Sequence, residues 1–189
     1  MNKRTQPIII TAFCCLFPLA AMAEGAKEQP EAGLSAIPSL DVARYMGTWY
    51  EIAKYPNRFQ KKCATDTRAD YSLDEDGDVR VVNRCKLPNG ETAEAVGAAR
   101  QVGTATSATL KVRFAPSWLS FLPMVWGDYW VIDIDEGYQL VAVSEPTREY
   151  LWILSRTPKV DPPAYDALLQ RLLRKGFDLG KLEISRQGD

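Results

Sequence analysis

From residue 40 onward, the chain alternates short runs of apolar and β-branched residues with turn-forming residues. Eight such runs follow one another, and most of the connections between them are short. They cover residues 49–55, 67–73, 79–85, 93–100, 108–114, 129–134, 140–144 and 150–156. The turn signals include DEDG at 74–77 and PNG at 88–90. This pattern predicts an all-β fold, an eight-stranded antiparallel up-and-down β-barrel, because a βαβ fold would need helices between the strands.

Near the C-terminus, the period of the apolar positions becomes that of a helix. Apolar side chains at positions 165, 168, 169, 172 and 173 repeat at i, i+3, i+4, i+7 and i+8. Asp161 is a good N-cap, Pro162 suits the first helical turn, and Gly176 is placed to end the helix. We therefore predict a C-terminal helix over about 162–175 that packs on the outside of the barrel, followed by a short strand at 182–184.

The first 23 residues have the three parts of a secretory signal peptide. Lys3 and Arg4 precede an apolar stretch at 7–19, and small residues flank a cleavage point after Ala23. The two cysteines of this stretch lack the Leu and small residues that precede an acylated cysteine, so the pattern favours simple cleavage over a lipid anchor. The predicted organisation is a signal peptide at 1–23, a flexible polar leader at 24–37 and a barrel domain at 38–186.

The composition excludes several classes of function. The chain contains no histidine, which rules out a Ser-His-Asp triad, a Cys-His pair and the usual histidine ligands of zinc and haem. A net charge of −1 offers no basic field that would hold nucleic acid. We therefore expect no cofactor, no metal and no nucleic-acid partner.

Cys63 and Cys85 are the cysteines that remain after the predicted cleavage. In an exported protein a disulfide is the default state of such a pair, and two buried free thiols are the alternative. A disulfide would leave no thiol nucleophile for an enzymatic reaction.

Three short motifs stand in the order and spacing of a known family. GTW at 47–49 opens the first strand, in the context YMGTWYEIAKYP; DID at 133–135 ends the sixth strand; and LSR at 154–156 ends the eighth, within YLWILSRTP. Together with the hairpin YSLDEDGDVRVVN, they resemble the lipocalin family, and within it the branch of bacterial lipocalins and apolipoprotein D. The resemblance extends over residues 38–186, which is nearly all of the predicted mature chain.

The resemblance implies structural roles for Gly47, Trp49, Asp133 and Arg156. In the family, the motif arginine lies over the motif tryptophan at the closed end of the barrel, where a guanidinium above an indole forms a favourable cation–π pair. The motif glycine allows the chain to approach its neighbour closely. These residues are therefore expected to close the barrel and not to select the ligand.

The alternation of side chains along the strands predicts which residues face the interior. On the fourth strand small residues alternate with Glu94 and Arg100, and on the fifth apolar residues alternate with Lys111 and Arg113, so the charged positions face outward. The third strand contributes residues of one parity, and the sixth and eighth strands are assigned through the resemblance. The predicted ligand-binding residues are Val81, Asn83, Ala95, Gly97, Ala99, Leu110, Val112, Phe114, Tyr129, Val131, Tyr150, Trp152 and Leu154. They describe an apolar cavity for an acyl chain, and the alternative is a barrel filled by its own side chains.

The connection between the fifth and sixth strands, residues 115–127, is unusually apolar for a loop. Its largest apolar side chains include Trp118, Phe121 and Trp126. Because the loop lies at the mouth, we predict a lid, a membrane-touching patch or a dimer contact, and the alternative is a loop that folds back over the mouth as core. The basic residues of the other mouth loops, which are candidates for contact with a lipid headgroup, are Arg58, Lys61, Lys62 and Arg148.

The resemblance implies an exported lipid-binding protein of the periplasm, with storage or transport of lipids for outer-membrane maintenance as its role. Many relatives are anchored in the outer membrane, but this signal sequence does not support an anchor. Fatty acids, lysophospholipids and diacyl phospholipids all fit the predicted cavity. Another hydrophobic ligand such as a pigment is the alternative, and an enzymatic lipocalin that uses Glu51 or Asp133 as a buried acid is a further one. Homodimers occur in this branch, and the sequence leaves the oligomeric state open.

Overall fold

A computed structural model describes residues 33–74, 77–116 and 119–188. Within these residues the elements, in chain order, are α1 (Val42–Tyr45), β1 (Gly47–Lys54), β2 (Thr65–Leu73), β3 (Val79–Lys86), β4 (Thr92–Gln101), β5 (Thr109–Arg113), β6 (Gly127–Ile134), β7 (Leu140–Ser144), β8 (Leu151–Ser155), α2 (Pro162–Arg174) and β9 (Glu183–Ile184). Two short 3₁₀ turns lie at Pro123–Val125 and Leu179–Lys181. The prediction of an antiparallel eight-stranded barrel with a C-terminal helix is confirmed. The predicted signal peptide lies outside the described residues.

The barrel is closed by β1, which pairs with both the last and the second strand. Strands β2 to β8 each pair antiparallel with the next. The first half of β1 pairs with β2, from Gly47 opposite Tyr71 to Tyr50 opposite Arg68, and its second half pairs with β8. Up-and-down order places the β1–β2, β3–β4, β5–β6 and β7–β8 loops at one end, the mouth, and α1 with the other loops at the closed end.

Period-two alternation divides the apolar residues of β1 and of β6 to β8 between two cores, one inside and one outside the barrel. Inside the barrel, Trp49 and Val131 have no accessible surface. On the outside, Ile132 and Ile153 are equally buried, against Leu168 of α2. The strands that α2 covers are therefore apolar on both faces, whereas β3 to β5 carry charges on the outer face.

Helix α2 forms and docks for reasons that are visible in its sequence. The Asp161 carboxylate accepts a hydrogen bond from the Ala164 backbone N–H at 3.1 Å, and Pro162 occupies the first turn. Leu168 and Leu172 are fully buried against the barrel, but Leu173, which the pattern placed on the same stripe, is 46% exposed. Arg171 extends the contact, because its Nε and Nη2 donate to the Asp133 carboxylate at 2.9–3.1 Å. None of the helices in the described part of the chain is long and apolar enough to cross a bilayer.

The two ends of the described chain are fastened to the barrel. Residues 33–37, predicted as the end of a flexible leader, differ from that expectation, because Leu34 is buried in the outer core and the Ile37 N–H donates to the Val131 carbonyl at 2.8 Å. At the other end, the residues after β9 enter the gap where β1 and β2 diverge. The Ser185 N–H donates to the Ile52 carbonyl at 2.9 Å, and the side-chain amide of Gln187 donates to the Glu51 and Thr67 carbonyls. The tail therefore seals the wall between these two strands.

Candidate functional site

The register of β2, β3 and β4 places the predicted small and apolar residues on the inner wall in three rows. The row closest to the mouth is Ala69, Asn83 and Ala95; the next is Tyr71, Val81 and Gly97; and the deepest is Val79, Ala99 and Val112 of β5. The remaining inward residues that pack with this wall are Leu110, Tyr129, Val131, Trp152 and Leu154. The sequence-predicted cavity residues of β3 to β6 and β8 therefore share one surface.

Accessibility along the interior separates a lower half that is filled from an upper half that opens at the mouth. Trp49, Val131 and Val141 in the filled half have no accessible surface. By contrast, Trp152 packs against the same interior cluster but keeps accessible surface, and Ala95, in the row closest to the mouth, is exposed. The interior is therefore open toward the mouth and filled toward the closed end.

Phe114 and Tyr150 lie at the rim of the mouth. Phe114 follows β5, is 45% exposed, and its ring lies over Gly97, where a Cβ atom would approach the ring to 2.7 Å. The ring of Tyr150 stacks on Trp152 at a centroid distance of 5.8 Å. The absence of a side chain at position 97 thus makes room for an aromatic ring that narrows the mouth on this side.

At the closed end, Arg156 covers Trp49. The guanidinium carbon lies 3.9 Å from the centroid of the indole, and its nitrogens donate to the carbonyls of Arg44, Thr48 and Tyr138 at 2.6–3.2 Å. Gly47 has φ +98°, and a Cβ there would lie 3.3 Å from Nη1 of Arg156. Burial lowers the pKa of the guanidinium, and the cation is balanced by the indole face and three carbonyl dipoles.

Three tyrosine hydroxyls meet just above this closed end. The hydroxyl of Tyr129 lies 2.7 Å from that of Tyr45 and 2.9 Å from that of Tyr71. Burial raises the pKa of each phenol, that of Tyr71 to about 12, so the cluster is neutral. The rings border a pocket of about 10 Å³, room for about one atom at the deep end of the interior. Sequence reasoning missed Tyr45 and Tyr71, although Tyr71 has the inward parity of its strand.

Below the mouth, the Glu51 carboxylate is almost completely buried, with 2% of its surface accessible. It accepts hydrogen bonds from the Gln60 side-chain amide and from the Ser185 hydroxyl, the latter at 2.5 Å. Gln60 in turn accepts the indole N–H of Trp152 at 3.0 Å. The network therefore connects the β1–β2 loop, the inner wall of the barrel and the C-terminal tail, and both oxygens of the Glu51 carboxylate accept hydrogen bonds in it.

We expect the Glu51→Gln substitution to change how stability depends on pH. Burial raises the pKa of Glu51 above its ordinary value of 4.5, against the opposing effect of its two hydrogen-bond donors. Between the two pKa values, the native state therefore holds a proton that the unfolded chain has released. The stabilisation of the native state by this proton is complete below pH 4.5 and is lost as the pH rises through the folded-state pKa. The variant should gain stability relative to the wild type as the pH rises, which urea unfolding at a series of pH values measures.

The matched control for this experiment is Glu136→Gln, because Glu136 is an exposed carboxyl in the β6–β7 loop. Its stability difference from the wild type should not follow the Glu51 profile. A Glu51→Gln profile parallel to that of the wild type from acid to neutral pH would contradict the prediction.

The mouth loops carry a disulfide and a polar groove. Cys63 and Cys85 are joined, with their Cα atoms 5.5 Å apart. A groove of about 540 Å³ lies between the β1–β2 loop, the β7–β8 loop and β9, and its lining includes Arg58, Lys61 and Tyr150. Lys62 is exposed beside it. Arg148 differs from the headgroup prediction, because its Nε donates to the Lys175 carbonyl behind α2 at 2.8 Å.

The β5–β6 loop does not fold back as core. Phe121 and Met124 are 74% and 85% exposed. Trp126 is half-buried on the outer face of the barrel, with the guanidinium of Arg100 4.3 Å from its ring centroid. Trp118 lies outside the described residues. The alternative in which this apolar segment covers the mouth as core is therefore wrong for Phe121 and for Trp126.

Comparison with known proteins agrees with this architecture. The chain matches the profile of the Lipocalin-like domain over residues 40–187. It is 42% identical over 158 residues to temperature-induced lipocalin-1 of Arabidopsis thaliana, covering 82% of this chain and 84% of the plant protein. It is 37% identical over 174 residues to the outer membrane lipoprotein Blc of Escherichia coli strain K12, covering 88% and 94% of the two chains. The solved structure of insecticyanin from the tobacco hornworm Manduca sexta shares the fold, with a TM-score of 0.65 at 18% identity over 84% of this chain and 86% of that chain.

A closed antiparallel barrel with one end sealed by an Arg–Trp pair and an apolar interior that opens at the other end has the architecture of a calyx. The chain belongs to the lipocalin family, whose members bind hydrophobic ligands. Its relatives are in general binding and transport proteins and not enzymes.

Proposed function

We propose that the calyx binds fatty acids or (lyso)phospholipids and that the protein stores or transports them for maintenance of the outer membrane. The observation that carries the proposal is the inner wall of β3 and β4, where Ala95, Gly97 and Ala99 are small and Ala95 is exposed on the face that opens toward the mouth. The small side chains of this wall occupy little of the interior and offer few hydrogen bonds, which suits an acyl chain.

The mouth supplies the polar end of such a ligand. Arg58 and Lys61 line the groove between the mouth loops, and a guanidinium or an ammonium attracts a phosphate or a carboxylate. Asn83 and the aromatic rings of Phe114 and Trp152 lie between these cations and the deep end. A lipid with its chain inward and its charged group at the rim therefore matches the polarity of the site at both ends.

Export to the periplasm is part of the proposal. It rests on the signal-peptide pattern of residues 1–23 and on the similarity to Blc, which is named an outer membrane lipoprotein. The disulfide between Cys63 and Cys85 is the state expected in an oxidising compartment. A binding role is favoured over catalysis because this disulfide consumes both thiols and because Ser185 and Gln60 engage the buried Glu51 carboxylate.

The proposal predicts that the Ala95→Trp substitution strongly weakens ligand binding. Ala95 has inward parity in the row closest to the mouth, so an indole there takes the place of about three methylene groups of the ligand, which costs about 2–3 kcal/mol or about 50-fold in affinity. The matched control is Val96→Trp, because Val96 is the next residue of β4, faces outward and is 47% exposed. Titration with a fluorescent fatty acid measures both variants, and equal affinities would contradict a ligand inside the barrel.

Native mass spectrometry of the protein, purified from the periplasm without detergent, tests the ligand class. We expect adducts of fatty-acid or lysophospholipid mass on the wild type and their loss from Ala95→Trp but not from Val96→Trp. Adducts that survive in Ala95→Trp would place the lipid outside the calyx. An absorbance band in the visible range would favour a pigment in place of a lipid.

A further inference from the structure

The outer face of β3, β4 and β5 carries a band of cations next to the apolar β5–β6 loop. Arg80 lies opposite Ala98, and Ala98 lies opposite Arg113, while Arg100 lies opposite Lys111 in the adjoining row. These four cations, here called the basic band, share the outward parity of their strands. Lys111 is paired with Asp128 at 2.8 Å. Among the described residues, Arg80, Arg100 and Arg113 have no carboxylate within ion-pair distance.

Two arginines of this band hold the β5–β6 loop in place. Trp126 lies between Arg100 and Arg113, whose guanidinium carbons are 4.3 and 5.3 Å from the centroid of the indole. Arg113 also donates from Nη1 to the Ala115 carbonyl at the start of the loop. The indole N–H of Trp126 donates to the Ser120 carbonyl at 2.8 Å, which fixes the residue before Phe121. The loop is therefore anchored over the basic band at both of its ends.

The same anchoring leaves apolar side chains exposed and one cationic nitrogen unsatisfied. Phe121 and Met124, here called the apolar tip, are 74% and 85% exposed, although burial is the usual state of such residues. The Nε of Arg113 is the buried side-chain nitrogen that finds no hydrogen-bond acceptor within the described residues. A buried guanidinium nitrogen without an acceptor is an unusual feature, and this nitrogen has almost no accessible surface.

We propose that the apolar tip and the basic band together form a docking surface for a bilayer that contains anionic phospholipids. Exposed Phe and Met side chains enter the boundary between headgroups and acyl chains, tryptophan favours that boundary, and arginines bind phosphates of the headgroups. A protein partner fits less well, because two side chains offer well under the about 800 Å² per partner that a stable dimer buries. The apolar tip belongs to the β5–β6 loop, which is one of the mouth loops, and the basic band extends from it along the outer face of the barrel.

The test is flotation of the protein, purified after export, with vesicles of phosphatidylcholine alone or of phosphatidylcholine mixed with phosphatidylglycerol. We expect the wild type to bind the mixed vesicles more strongly and to lose this preference as salt is added. Arg100→Gln combined with Arg113→Gln should weaken binding to the mixed vesicles by about tenfold or more. Phe121→Ser combined with Met124→Ser should weaken binding to both kinds of vesicle by about tenfold.

The matched control is Leu173→Ser combined with Arg174→Gln, which removes an exposed apolar side chain and an exposed cation from α2. This variant should float like the wild type. Binding of a fluorescent fatty acid, measured on the same preparations, reports separately on the interior of the barrel. Failure of membrane docking and failure of the proposed lipid-binding function can therefore be distinguished. If the double arginine variant does not fold, the single Arg100→Gln variant replaces it, because Arg100 is exposed.

Four results would overturn the docking surface. The first three are no flotation of the wild type, equal flotation of the wild type with both kinds of vesicle, and unchanged flotation of the Arg100 and Arg113 variants. The fourth is an α2 control variant whose flotation is weakened as much as that of the docking-surface variants. Inorganic phosphate at matched ionic strength distinguishes a site for the free anion from a membrane surface. Complete competition by phosphate would assign the arginines to the free anion and would also overturn the proposal.

Discussion

Replacing Trp49 by Ala is expected to lower the free energy of unfolding by about 3–5 kcal/mol, a large part of the stability of a domain of this size. The indole has no accessible surface and closes the lower end of the barrel. Its removal leaves a cavity beneath Arg156, and its N–H no longer donates to the Tyr45 carbonyl, a bond of 2.8 Å. Urea unfolding followed by circular dichroism measures the change.

The control variant is Trp126→Ala, because Trp126 is only half-buried on the outer face. Its removal should lower the free energy of unfolding by about 1 kcal/mol. A double-mutant cycle with Arg156→Gln then isolates the pair. We expect a coupling energy of about 1–2 kcal/mol, because the guanidinium lies 3.9 Å from the indole centroid in a partly desolvated site. Additive effects of the two substitutions would show that the arginine stabilises the closed end through the carbonyls alone.

The β-barrel was predictable because each strand carries its own signal. Apolar and polar positions alternate with period two in β4 and β5, so Ala99 and Arg100 already show which face is inside. The alternation persists in the structure, where Ala99 is buried in the barrel and Arg100 is exposed on the outside. Local patterns of this kind need no knowledge of distant residues, and the eight strands therefore followed from the sequence with end positions shifted by one or two residues.

The contacts that shape the mouth were not predictable, because they join distant parts of the chain. The tail that fills the gap between β1 and β2 is polar and short, and only the divergence of those strands makes room for it. The Glu51 network likewise brings together a strand, a loop and the tail, with Ser185 separated from Glu51 by 134 positions. No local periodicity marks such partners.

The β5–β6 loop shows the same limit in another form. Its apolar composition predicted that the loop contacts another apolar surface. The composition alone did not show whether the loop packs into the core of the barrel or stays exposed on its outside. The distinction depends on Arg100 and Arg113, which lie on two other elements and hold Trp126 on the outer face. Helix α1 was missed for a simpler reason, since its four residues are too few to show a helical period.

Loss of the disulfide is expected to lower the free energy of unfolding by about 3 kcal/mol, because the bridge restricts the unfolded chain. Cys63 and Cys85 are 22 positions apart and enclose β2, the following turn and most of β3. The mouth loop before Cys63 has few other ties to the wall. They include the hydrogen bonds of Gln60 with Glu51 and Trp152 and the contact of the Phe59 ring with that of Tyr150. Just after the bridge, the Ala64 N–H donates to the Lys86 carbonyl at 2.7 Å. The bridge therefore acts on the unfolded ensemble and also holds this loop in the native state.

Urea unfolding of the Cys63→Ala, Cys85→Ala double variant, and of the wild type with and without reductant, measures the effect. The double variant and the reduced wild type should agree within about 1 kcal/mol, since both lack the same covalent constraint. Reductant should leave the double variant unchanged, which makes it the control for effects of the reagent on the rest of the chain. If the oxidised wild type is no more stable than the double variant, the prediction is wrong and the 57–63 loop is held by non-covalent contacts, among them those of Gln60. In that case the Gln60→Ala substitution should release it, with faster amide exchange confined to those residues.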